Sequence, residues 1–111
     1  MKKSLCFAAV MVAALSFISP TAISADNLVI SEFMAANSSI LADEDGQYSD
    51  WIEVYNAGNT AVNLDQWSLT DNAGNLTKWR FPATNLPPYS YLVVFASGNN
   101  RTTPGARLHT N

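Results

Sequence analysis

The sequence is poor in the residues that most often do chemistry. Among 111 residues there is one cysteine, one histidine and only six lysines plus arginines. The cysteine, Cys6, lies in an apolar N-terminal run, so the rest of the chain has no thiol and no disulfide to brace it. A lone histidine and a single thiol argue against a Cys/His metal centre. The shortage of cations argues against nucleic acid as a partner, because such binding depends on Lys and Arg neutralising phosphates. No Gly-x-Ser-x-Gly elbow occurs, and His109, the one imidazole available to a Ser-His-Asp arrangement, stands near a terminus, where chains fray. No catalytic residue is expected.

The N-terminus has a clear pattern. Lys2 and Lys3 precede 14 uncharged residues, Leu5 to Ile18, and a small residue, Ala25, follows Pro20 and Ser24. This is the pattern of a secretory signal peptide over residues 1–25. The apolar run is short of the roughly 20 residues that span a bilayer. Lys3 and Ser4 before Cys6 do not make a lipobox. The expected product is exported, without a stable membrane span, to the periplasm, the cell surface or the medium. Cleavage leaves 86 of the 111 residues, 26–111, with four cations against nine acids, a net charge of −5.

Six short apolar runs follow: Leu28–Met34, Trp51–Tyr55, Ala61–Leu64, Trp67–Thr70, Lys78–Phe81 and Tyr91–Ala96. They are rich in Val, Ile, Trp, Tyr and Phe and separated by turn residues, which predicts strands. Alternation in Lys78-Trp79-Arg80-Phe81 places Trp79 and Phe81 on a buried face. In Trp51–Tyr55 it sets Ile52 and Val54 on one face and Trp51, Glu53 and Tyr55 on the other. Tyr91–Phe95 is apolar on both faces and reads as a central strand. A helical turn fits only at Ala35–Ala42. Strand signals about ten residues apart predict an all-β antiparallel sandwich or barrel.

Candidate sites are few. Asp43, Asp45 and Asp50 could offer oxygen ligands to calcium, but their spacing fails the EF-hand pattern, and a solvated loop is the expected outcome. Glu32 and Glu53 are acids inside strand runs. Two carboxylates roughly 5–10 Å apart would suit glycosidase chemistry, but a structural or exposed role is the simpler reading. Trp51, Glu53 and Tyr55 are the best candidates for a ligand or interface surface, since aromatics join large apolar area to a polar handle. Trp67 and Trp79 are expected in the core. Asn37, Asn75 and Asn100 start glycosylation sequons, which matter only in a host that glycosylates.

The ordered segments Ile30-Ser31-Glu32-Phe33-Met34-Ala35, Asp43-Glu44-Asp45-Gly46, Ser49-Asp50-Trp51-Ile52-Glu53-Val54-Tyr55-Asn56, Trp67-Ser68-Leu69-Thr70-Asp71, Lys78-Trp79-Arg80-Phe81-Pro82, Tyr91 to Ser97 and Leu108-His109-Thr110-Asn111 resemble the lamin tail domain in its bacterial, secreted form. That resemblance implies an immunoglobulin-like antiparallel β-sandwich and a non-enzymatic interaction module that needs no cofactor. Its partner would be a protein or a surface polymer. The Glu32 and Glu53 acids recur in the family with no catalytic role attached. Members usually continue past the Leu-His-Thr-Asn segment, so the resemblance implies a sandwich lacking its final strands, with an unpaired sheet edge prone to self-association. Two other readings stay open: a carbohydrate-binding module, and the N-terminal fragment of a larger secreted hydrolase or nuclease.

Overall fold

The computed structural model describes residues 27–111, and the signal-peptide reading of 1–25 lies outside them. Eight strands appear in order: β1 (Leu28–Met34), β2 (Trp51–Asn56), β3 (Val62–Asn63), β4 (Ser68–Leu69), β5 (Trp79–Arg80), β6 (Asn85–Leu86), β7 (Tyr91–Phe95) and β8 (Leu108–His109). Each of the six apolar runs carries a strand. The fold is all-β, as expected. No helix among the described residues is long and apolar enough to cross a membrane.

The main sheet has the order β1-β2-β7-β8. β1–β2 and β2–β7 are antiparallel. β7–β8 is parallel, the one departure from an antiparallel plan among the named strands. Two short antiparallel ladders, β3–β6 and β4–β5, complete the strand pairing. Their apolar residues meet the main sheet in one core of Val54, Val62, Leu64, Trp79, Phe81, Leu86, Val94 and Leu108, with Leu28, Trp67, Leu69 and Leu92 packed against it. Leu64 and Val94 are fully buried. Burying one such side chain contributes about 2 kcal/mol. The alternation read in Lys78–Phe81 holds: Trp79 and Phe81 are buried, and Lys78 and Arg80 are exposed.

Two sequence expectations need correction. Among the described residues the single helical turn lies at Leu64–Gln66 and not at Ala35–Ala42. It is a 3₁₀ turn started by Asn63, whose side chain accepts the Asp65 N–H. The 35–42 segment is held instead by the buried Asn37. Its Nδ2 donates to Leu41 O and Ser49 O, and its Oδ1 accepts the Ile40 N–H. Local side-chain bonds of this kind compete with helix formation. β7 is central in the sheet, but only its C-terminal half is enclosed, and Tyr91 is 59% exposed.

Candidate functional site

Strand register defines the face of the main sheet that looks away from the core. Across β1, β2 and β7 it carries three rows: Met34, Trp51 and Phe95; Glu32, Glu53 and Val93; Val29, Tyr55 and Tyr91. The first row ends at His109, which is paired with Phe95. The rows differ sharply in burial. Trp51, Phe95 and His109 are buried, whereas Val29, Glu32 and Tyr91 are exposed and Glu53 and Tyr55 lie between.

Of the three residues singled out for this surface, Trp51 is the least available. It is only 7% exposed, which leaves little ring for a ligand. Glu53 and Tyr55 remain accessible in part. The partner that sequence reasoning missed is Tyr91. It stands directly opposite Tyr55, and the two rings stack with centroids 4.4 Å apart and planes 22° apart. Tyr91 was legible as a strand residue, but its position opposite Tyr55 depends on pairing between strands 35 residues apart.

Glu53 is oriented by a bulge. The β1–β2 register slips between Ile30 and Glu32, so Ser31 is the extra residue. Ser31 Oγ donates to Glu53 Oε1 at 2.8 Å. Glu32 and Glu53 face each other across the strands, and neither forms an ion pair among the described residues.

The acidic loop is built differently. Asp43 is buried, and its Oδ1 accepts the N–H groups of Asp45 and Gln47 at 3.0 and 2.8 Å. Gly46 closes this turn at φ +74°, a left-handed conformation that favours glycine. Asp45 pairs with Arg101. Asp50 Oδ1 accepts the Asn37 N–H at 2.9 Å. The three acids suggested as calcium ligands are each committed to an internal contact, and the fold does not gather them: no group of three or more metal-ligating acids or histidines forms among the described residues.

His109 takes a part that its position near a terminus did not suggest. Its ring is fully buried and stacks on Phe95 at 5.2 Å. β8 is paired on both sides, with β7 and by an isolated bridge from Arg101 to His109, which prevents fraying here. His109 Nε2 lies 3.0 Å from each Glu44 carboxylate oxygen, and Nδ1 lies 2.7 Å from Ser97 Oγ. An ionised carboxylate only accepts, so Nε2 carries a proton, and Nδ1 shares a hydrogen bond with the Ser97 hydroxyl. Arg101 completes the chain by pairing with Glu44. The Glu44 carboxyl is held down to about 2 by its own backbone N–H, then by His109 and Arg101.

The order Ser97, His109, Glu44 has the composition of a nucleophile–base–acid line. The Ser97 oxygen also accepts the Asn99 N–H at 3.2 Å. Two clefts open elsewhere among the described residues, and neither is lined by Ser97 or His109. One cleft, about 310 Å³, lies between the sheets and is lined by Ile30, Ile52, Leu69 and Trp79 among others. The other, about 360 Å³, runs beside Tyr91, Val93 and Phe95 toward Arg107. The Ser97–His109–Glu44 chain ties the acidic loop to β8.

No characterised protein and no solved structure matches the chain. A family model described as the Lamin Tail Domain matches residues 21–111, which covers every described residue. That family comprises immunoglobulin-like protein-interaction domains, in keeping with the all-β sandwich. The chain belongs to the lamin tail domain family.

Proposed function

We propose that this chain is an exported, non-enzymatic module that binds another protein through the outer face of β1, β2 and β7. The observation that carries the reading is the Tyr55–Tyr91 stack, with Tyr91 59% exposed. Two rings already stacked present a rigid amphipathic surface that loses little side-chain entropy on binding, which is why tyrosine is favoured at interfaces. Val29, 47% exposed, extends the patch along the same row. The leader composition supports export, with the periplasm, the cell surface or the medium as destination.

Photo-crosslinking tests the surface. A benzophenone amino acid placed at Tyr91 should give a discrete protein adduct in the producing cells. The same group at Leu76, 70% exposed on the β4–β5 connection, is the control. Equal adducts from both positions, or none from Tyr91, would remove the proposal.

A second reading, binding of a surface polysaccharide, is favoured by the same stack, because tyrosine faces also receive sugar rings. Trp51 contributes little to it, being buried. Titration with soluble glycans, followed by tyrosine fluorescence, separates the two. A saturable response to a glycan would favour the polymer.

A further inference from the structure

We propose that the outer face recognises a cationic side chain, an arginine or lysine of the partner protein, held between the Glu32–Glu53 carboxylates and the Tyr55–Tyr91 stack. This deepens the contact-surface reading above and rests on it.

The argument begins with charge. Glu32 and Glu53 are direct cross-strand partners. Side chains so placed have Cβ atoms about 5 Å apart, and like charges there are destabilising. Among the described residues no cation pairs with either acid. Of its four described cations, Lys78 pairs with Asp71, and Arg101 with Glu44 and Asp45. Arg107 donates to the Ala42 carbonyl and lies over the Phe95 ring. Arg80 extends from β5, outside the main sheet. The acid pair is thus left with its repulsion, which a bound cation would reverse.

Geometry adds the second part. The tyrosine pair is the next row along the same face, two residues from the acids on β2. At about 3.3 Å per residue the rows are about 7 Å apart, within the span of one arginine side chain. A guanidinium or ammonium near the acids can therefore set its stem, or its plane, on the exposed Tyr91 ring. Cations are attracted to such rings by the quadrupole as well as by apolar contact. The Ser31 bond holds one Glu53 oxygen, and the carboxylate keeps acceptor sites for a ligand. A planar guanidinium, which offers paired donors to carboxylates and stacks on aromatic faces, fits this combination better than an ammonium.

The test uses the exported chain and four blocked pentapeptides, identical except for a central arginine, lysine, citrulline or glutamine. Binding is followed by NMR shifts of the Tyr55 and Tyr91 rings. Arginine should bind about tenfold more tightly than citrulline, its neutral near-isostere, with lysine between them. Glu53→Gln and Glu32→Gln should each weaken arginine binding, and the double variant should erase the preference over citrulline. Raising the salt concentration should do the same. Equal binding of arginine and citrulline peptides would overturn cation recognition while leaving the contact surface to the crosslinking test. So would an arginine preference that survives the double variant, or the absence of any response. Ring-shift dispersion of the free variants establishes that they are folded.

Discussion

The buried ring of His109 is joined to Glu44, 65 residues earlier in the chain, by an Nε2 that lies 3.0 Å from both carboxylate oxygens. This contact fastens the 35–50 segment over one end of the main sheet, where Trp51 and Phe95 are buried. Arg101 bonds to Glu44 and Asp45 from the same side, and Arg107 reaches the Ala42 carbonyl. The sheet therefore has a covered end and, around Glu53, Tyr55 and Tyr91, an uncovered one. The contact surface proposed above is the uncovered end.

Acid should loosen the covered end first. Glu44 ordinarily titrates at 4.5 and in the fold at about 2. A carboxyl lowered in this way contributes stability that is fully present above about pH 4.5 and is lost as pH falls toward 2. Urea unfolding at a series of pH values should show this acid limb, and Glu44→Gln should flatten it. His109→Ala, which removes a fully buried ring and its bonds to Ser97 and Glu44, should cost about 3 kcal/mol at neutral pH. An unchanged acid limb in Glu44→Gln would assign it to other groups.

Asn56 should be among the most sensitive positions. It is fully buried at the end of β2. Its Nδ2 lies 2.7, 3.1 and 3.0 Å from the carbonyls of Thr60, Leu86 and Pro87, and its Oδ1 accepts the Gly58 N–H. One side chain thus joins the main sheet to the β3–β6 ladder. Asn56→Ala strands several buried polar groups and should cost about 3 kcal/mol. Asn56→Asp should fare no better, since a carboxylate there has no donor to offer the three carbonyls. Chemical denaturation of both variants checks this.

Much of this architecture was readable from residue order. β1 spans the run Leu28–Met34, and the two-residue period in Trp79-Arg80-Phe81 gave the buried face directly. What escaped was whatever depends on distant pairing. β6 and β8 have two residues each, too few for a period, and their places are set by Val62 and Val94 across the fold. Asn56 only closes the Trp51–Tyr55 run in the sequence, and nothing local shows that Leu86 and Pro87 close over it. The position of His109 near a terminus predicts fraying, whereas backbone pairing on both sides of β8 holds it firm.

The acidic loop should be indifferent to calcium. Asp43 already orders its turn with two N–H bonds, which an asparagine oxygen could retain. Asp43→Asn should therefore unfold close to the parent, while Asp43→Ala should lose about 2 kcal/mol. Calcium or a chelator should leave all three melting temperatures unchanged. A ligand that binds only the folded state raises the melting temperature, so a calcium-dependent rise would establish a site that the present hydrogen bonds do not reveal.

The free edge of the main sheet is expected to make this chain self-associate. β1 stands at one end of the strand order, so among the described residues one side of its backbone has no ladder partner. Its core-directed residues are not all covered: Ile30 is 59% and Phe33 71% exposed, although Val54 and Val94 on the same side of the sheet are buried. Unpaired edges template pairing with a second chain, and exposed apolar residues beside them add attraction without direction. Sedimentation of the chain should then show an average mass that rises with concentration. Phe33→Lys, which places a charge on the edge in the manner of natural edge strands, should shift the population toward monomer without loss of the fold. The two outcomes separate pairing at β1 from association elsewhere. If Phe33→Lys sediments like the parent, β1 is not the edge involved.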